Sequence, residues 1–113
     1  MTNAPKTVLA IHDLPGFGRA ALSVIVPVLS ALGVQAVGPP TAVLSTPTGG
    51  LGAPARLADP AYGPAALAHY HRLGVKFDCI YSGYLADAAQ AKLVQQAFAL
   101  WPRAFKVVDP VLG

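Results

Sequence analysis

Thr7-Val8-Leu9-Ala10-Ile11-His12-Asp13-Leu14-Pro15-Gly16-Phe17-Gly18 is the stretch whose reading decides the fold. Thr7 to Ile11 is a short aliphatic run without polar alternation, the pattern of a buried strand. A glycine-bearing turn follows, and then Gly18 to Leu32 reads as a helix. Gly33 stops that helix by taking the left-handed position just past its last turn. Pro27 lies inside the helix and should kink it or cost a hydrogen bond. Strand, tight turn and helix in this order begin a βαβ unit.

Outward from this unit the alternation continues. Val34 to Val37 and Ala42 to Leu44 form a second extended region, broken by Gly38-Pro39-Pro40. A loop rich in Thr, Pro and Gly runs from Ser45 to Pro60. Tyr62 to Leu73 reads as a second helix, stopped by Gly74, and Cys79 to Tyr81 as a third strand. Asp87 to Leu100 reads as a third helix with Asp87 as its N-cap, and Phe105 to Val108 as a fourth strand. Strands alternating with helices specify an α/β fold built on a mostly parallel sheet. The last strand delivers Asp109-Pro110-Val111-Leu112-Gly113. Termini are usually polar and frayed, so this ending leads us to expect the N-terminal portion of a larger enzyme.

Composition narrows the function classes. Hydrophobic residues make up 54% of the 113 residues and charged residues only 12%, so the chain should bury much of itself in a core larger than it can enclose alone. The uncharged stretch Leu22 to Gly38 contains Pro27 and a helix stop at Gly33, well short of the roughly 20 residues a membrane span needs. The run Val8 to Ile11 is too short for a signal peptide. A soluble, cytoplasmic protein is the expectation. Cys79 is the single cysteine, which excludes a disulfide scaffold and leaves a small buried thiol. The net charge of +3 comes from eight Lys and Arg residues scattered singly. No basic stripe points to nucleic acid.

In an open parallel sheet, ligands bind at the carboxyl ends of the strands. Here those ends carry His12-Asp13-Leu14-Pro15-Gly16, Ser45-Thr46-Pro47-Thr48-Gly49-Gly50, Ser82-Gly83-Tyr84 and Asp109-Pro110, whereas the opposite ends are bland. The chain has no Glu, and its five Asp residues divide cleanly. Asp59 suits a turn, Asp87 a helix cap, and Asp78 enters a strand from the bland end. Asp13 and Asp109 sit at strand exits and are the acidic candidates for ligand contact. Thr48 and Gly49 lie in a loop able to offer hydroxyls and amides, and Tyr84 can stack on an aromatic ligand or simply pack. His12 reads as a packing residue at a strand end.

Other chemistries fit poorly. Gly16-Phe17-Gly18-Arg19-Ala20-Ala21 imitates a dinucleotide fingerprint, but no carboxylate follows between residues 34 and 44 to hold a ribose. The Ser45 loop lacks the lysine and spacing of a P-loop. His69 and His71, two apart on a helix, point away from each other and make a poor metal pair.

The same residues carry a family likeness. Val8-Leu9-Ala10-Ile11-His12-Asp13, Gly18-Arg19-Ala20-Ala21-Leu22-Ser23, Thr41-Ala42-Val43-Leu44-Ser45-Thr46 with Thr48, Ser82-Gly83-Tyr84-Leu85 and Val108-Asp109-Pro110-Val111-Leu112-Gly113 are collinear with motifs of pyridoxal (pyridoxine/pyridoxamine) kinases. The chain resembles the N-terminal part of such a kinase, of the ribokinase-like superfamily, over nearly its whole length. The resemblance implies that residues 1–113 are part of a single domain with an incomplete, Rossmann-like sheet flanked by helices. It implies ATP-dependent phosphorylation of the 5′-hydroxymethyl group of a B6 vitamer in B6 salvage. Asp13 then stands where a Ser or Asp contacts the pyridine's polar edge. Thr48, Gly49 and Tyr84 line the vitamer pocket, and Asp109 lies near the ATP phosphates and their cations. ATP and Mg2+ are the implied cofactors, with a monovalent cation as a further candidate, and a homodimer is the implied assembly. No nucleic acid or membrane partner is implied.

Two departures stand out. His12 replaces a Gln common in the family, and no Gly-[Thr/Val]-Gly-Asp segment occurs in the chain. In the family that segment supplies the anion hole and the catalytic base, so no catalytic residue is assigned within this chain. The competing readings are a hydroxymethylpyrimidine kinase of thiamine synthesis, and a non-catalytic short protein that binds a small ring or pairs with a second chain. Phosphoryl transfer depends on positioning and charge neutralisation around the moving phosphate. The isolated 113-residue chain is therefore expected to give no turnover of pyridoxal with Mg-ATP; stoichiometric formation of the phosphate ester, followed by mass spectrometry, would contradict this.

Overall fold

The computed structural model describes residues 5–47, 52–83 and 88–109. Its elements, in chain order, are β1 (Thr7–Pro15), α1 (Leu22–Ala31), β2 (Gln35–Val37), β3 (Pro40–Leu44), β4 (Arg56–Leu57), α2 (Tyr62–Arg72), β5 (Cys79–Ser82), α3 (Ala88–Leu100) and β6 (Phe105–Val108). Among the described residues the strands form one sheet of order β4-β3-β1-β5-β6, with β2 also paired to β1. Every pairing is parallel except β3 with β4. The α/β class and the mostly parallel sheet are as the sequence predicts.

Strand β1 organises the sheet. Its first half pairs with β2 and its second half with β3, along one edge, while Val8 to Ile11 pair with β5 along the other. The broken second extended region is thus two short strands laid end to end against one long one. β1 itself runs four residues farther than its sequence predicts, through His12 to Pro15. The register against β3 shifts between His12 and Leu14, so the irregularity falls at Asp13. Asp13 therefore lies within a strand, at a bulge, rather than just past its end.

The alternation of side chains along a strand sorts the layers. Leu9, Ile11 and Ile80 belong to the buried cluster with Leu67 of α2 and Leu93, Val94 and Ala97 of α3. Val8, Cys79 and Tyr81 face the other way, toward Val24, Val28 and Leu29 of α1, across an apolar groove of about 340 Å3. Helices thus cover both faces. Much of the chain's apolar excess remains on the surface: Phe105 and Val108 of β6 are exposed, as is Val28 of α1.

Helix endings follow from glycine placement. At the end of α1, Gly33 has φ of 79°, its N–H donates to the Ser30 carbonyl and Val34 N–H donates to Leu29. A side chain there would be strained, and the two bonds satisfy carbonyls left over at the helix end. Gly74 and Val75 repeat the arrangement at the end of α2, bonding His71 and Tyr70. The start of α1 differs from the sequence reading. The helix begins at Leu22 rather than at Gly18, because Gly18 and Ala21 have φ of 98° and 52°, outside the helical region, and ahead of them Gly16 and Phe17 donate their N–H groups to the Leu44 and Ser45 carbonyls. Pro27 is accommodated inside the helix, which continues past it to Ala31.

The bland end of the sheet has its own brace. Asp78 accepts from Thr7 N–H at 2.8 Å through Oδ2, its N–H donates to the Thr7 carbonyl at 2.8 Å, and its carbonyl accepts from Phe105 at 2.9 Å. One residue thus aligns the starts of β1, β5 and β6. Below the sheet, Trp101 is buried, its ring edge-on to Phe77 with centroids 4.7 Å apart, and its Nε1–H donates to the Val75 carbonyl at 2.9 Å. Trp101→Phe keeps most of the packing but strands that carbonyl, and should cost about 1–2 kcal/mol in urea unfolding. Trp101→Ala should cost about 3–5 kcal/mol. Equal losses for the two variants would show that the hydrogen bond, rather than the ring, dominates.

Candidate functional site

Three parallel strand exits, those of β1, β5 and β6, are laced together by their backbones. Gly83 N–H donates to the Ile11 carbonyl at 3.2 Å, and Asp109 N–H to the Ser82 carbonyl at 2.8 Å. The two acidic residues singled out in the sequence therefore sit on one edge, separated by a single strand.

Two aromatic side chains bridge them. His12 and Asp13 are sequence neighbours, which in a regular strand would point to opposite faces. The register shift at this point brings His12 Nδ1 to 2.7 Å from Asp13 Oδ1, as bulges commonly re-aim side chains. The same Nδ1 also lies 2.9 Å from the Asp13 backbone N–H, which can only donate, so the ring's tautomer sets which of the two contacts with Asp13 is the hydrogen bond. Both side chains are partly buried. On its other side the His12 ring stacks on Tyr81, with centroids 6.5 Å apart and planes 14° from parallel. The Tyr81 hydroxyl donates to Asp109 Oδ2 at 2.9 Å. The result is a continuous series, Asp13–His12–Tyr81–Asp109, across the exits.

Gly83 is part of the same construction. A Cβ at this position would run into the His12 ring, so only glycine lets the imidazole lie across β5. Burial first, then the hydrogen bond to Asp109 and its negative charge, push the Tyr81 phenol above its ordinary value. The Cys79 thiol, partly buried in the groove under α1, is likewise pushed up by burial and by Asp78. A raised thiol carries little thiolate at neutral pH and makes a poor nucleophile.

Of the other expected site residues, Thr48, Gly49 and Tyr84 lie outside the described residues, as does Asp87. The segment leading to Thr48 is nonetheless placed: Ser45 N–H donates to the Ala55 carbonyl, its Oγ accepts from Ala55 N–H at 2.8 Å, and its carbonyl receives Phe17 N–H. His71 packs edge-on against Trp101 rather than facing His69. Among the described residues no group of three or more His, Cys, Asp or Glu could hold a metal ion. No helix among them is long and apolar enough to cross a membrane.

Tyr81 was not legible as a site residue, since only the register of β5 against β6 brings it to Asp109. His12 is more than the strand-end packing residue its sequence suggests.

No protein-family model and no curated protein matches the chain. Solved structures do. A Bacteroides thetaiotaomicron protein described as a phosphomethylpyrimidine kinase is 39% identical, with a TM-score of 0.90 over all of this chain and 40% of its own. A second crystal form under that description, with pyridoxal, gives 40% identity and a TM-score of 0.88 over 96% of this chain and 38% of its own. Pyridoxal kinase from Lactobacillus plantarum is 34% identical, with a TM-score of 0.87 over 96% of this chain and 39% of its own. In sequence and fold the chain is thus similar to part of these pyridoxal and phosphomethylpyrimidine kinase structures. It spans about two fifths of the length of these structures, so its sheet is incomplete relative to theirs.

Asp109→Asn removes the carboxylate's charge while keeping its shape. It should lower the Tyr81 phenol toward its ordinary value of about 10, read by ultraviolet titration against Tyr81→Phe as the blank. A phenol held above its unfolded value contributes stability that is complete below about pH 10 and is lost as pH rises through the folded value. Neutral-pH stability should therefore respond little to alkaline shifts until that range.

Proposed function

We propose that the protein carrying this chain transfers the terminal phosphoryl group of ATP to the 5′-hydroxymethyl group of a B6 vitamer: pyridoxal, pyridoxine or pyridoxamine. The observation that carries the reading is the joining of Asp13 and Asp109 on one sheet edge through His12 and Tyr81. The likeness to a named pyridoxal kinase, and to a protein crystallised with pyridoxal, supports the substrate class.

On this reading Asp13, its carboxylate steadied by His12, contacts the polar edge of the pyridine ring. Thr48, Gly49 and Tyr84 line the ring's pocket, as the resemblance implies. Asp109 lies at the phosphate end. Magnesium is usually held by one or two carboxylates together with phosphate oxygens and water, not by an all-protein cage. A single exposed Asp109 with one oxygen engaged by Tyr81 fits that use, leaving Oδ1 for the ion. When bound, the cation neutralises phosphate charge. The chain's own residues bind and orient; the proton of the hydroxymethyl group is taken by a base of the Gly-[Thr/Val]-Gly-Asp type, which this chain does not contain.

A second reading, phosphorylation of a hydroxymethylpyrimidine, is favoured by the description of the Bacteroides relative. Both substrates are heteroaromatic rings bearing a hydroxymethyl group, so the site chemistry is shared. The full-length gene product, supplied with Mg-ATP and each substrate in turn, should form pyridoxal phosphate with the higher kcat/KM. Asp13→Ala should raise the vitamer KM about tenfold, the size expected when a charged hydrogen-bond acceptor is removed. Faster turnover of the pyrimidine would install the second reading, and no transfer to either would remove both.

A further inference from the structure

Asp109 is exposed, and an exposed carboxylate ordinarily samples several rotamers. Here it is held at two points. Its N–H is tied to the Ser82 carbonyl at 2.8 Å, and its Oδ2 accepts from the Tyr81 hydroxyl at 2.9 Å. Ser82 is fully buried, so the backbone tie is to a rigid point of the sheet. Tyr81 is itself constrained, by its place in the middle of β5, by the α1 groove along one side and by the His12 ring stacked on it. The Asp13 carboxylate in turn fixes the His12 ring. Each member is thus oriented by its neighbour.

We propose that Tyr81 is a positioning residue of the phosphate end of the site. Its hydroxyl fixes the Asp109 carboxylate with one oxygen turned inward and the other presented to a divalent cation on a nucleotide's phosphates. Its ring, through His12, keeps that carboxylate in register with Asp13 at the substrate-ring end. The proposal rests on the phosphotransferase reading above and assigns Tyr81 a role that neither composition nor strand pattern indicates. Two separable contributions follow. The hydroxyl acts on the cation end alone, and the ring acts on both ends.

The test uses the full-length gene product with Mg2+, ATP and pyridoxal, or the pyrimidine if that proves the substrate. Tyr81→Phe deletes only the hydroxyl. It should raise the Mg2+ concentration at half-maximal rate about three- to tenfold, as expected for one lost hydrogen bond to a carboxylate. The KM for the ring substrate should stay within about twofold. Tyr81→Leu removes the stacking surface as well, and should raise both values. A merely structural role would change thermal stability and overall rate without separating the two constants. Unchanged Mg2+ dependence in an active Tyr81→Phe protein overturns the proposal and leaves the kinase reading standing. Wild-type protein that phosphorylates neither ring overturns the kinase reading, and this proposal with it.

Discussion

The hydrogen bonding of β1 along both of its edges is the constraint on which the rest of the structure depends. Thr7 to Leu9 pair with β2, His12 to Pro15 with β3, and Val8 to Ile11 with β5. A strand enclosed in this way must be apolar on both faces, and Leu9, Ala10 and Ile11 are all but inaccessible to solvent. Once β1 is fixed, the exits of its neighbours are fixed relative to it. The one irregularity in its pairing, at Asp13, is where the polar chemistry begins. A regular strand there would have sent His12 and Asp13 to opposite faces.

Acidic residues serve the two ends of the sheet differently. At the strand starts, Asp78 spends its carboxylate and its backbone on aligning Thr7 and Phe105. Asp59 accepts from Ala61 N–H at the entry to α2, a turn role. At the strand exits, Asp13 and Asp109 keep oxygen atoms available, each with only part of its hydrogen-bonding capacity used by a neighbouring side chain. This division explains how a chain with so few charges can concentrate binding potential on one edge.

Much of this was legible before the structure. Short aliphatic runs marked the strands because buried parallel strands have no polar face to show, and β6 has the limits its sequence predicts. Gly33 and Gly74 marked helix ends because the backbone there needs a left-handed residue. The asymmetry between polar exits and bland starts marked the edge where Asp13 and Asp109 come to lie. Other features were not legible, for physical reasons. The pairing of β1 with β5 is a long-range choice that no local pattern encodes. β4 is two residues, Arg56 and Leu57, too short for any periodicity. Gly18 and Ala21 take positive φ ahead of α1, so the helix starts at Leu22 rather than at Gly18, a backbone choice that local helix preference does not show. The link from Tyr81 to Asp109 needs the register of two strands, which a sequence pattern leaves open.

His12 and Gly83 occupy, in effect, one shared volume. The imidazole fills the space that any side chain at position 83 would need. The two positions are therefore not independent in sequence space. While a ring stands at position 12, position 83 is confined to glycine. A smaller residue at position 12 would free position 83, but would also give up the stacking partner of Tyr81 and the steadying of Asp13. The order of change then matters: a mutational path that enlarges position 83 first meets a steric barrier, whereas one that shrinks position 12 first does not. Sequence divergence at this pair has a narrow gate, through which position 12 must pass before position 83.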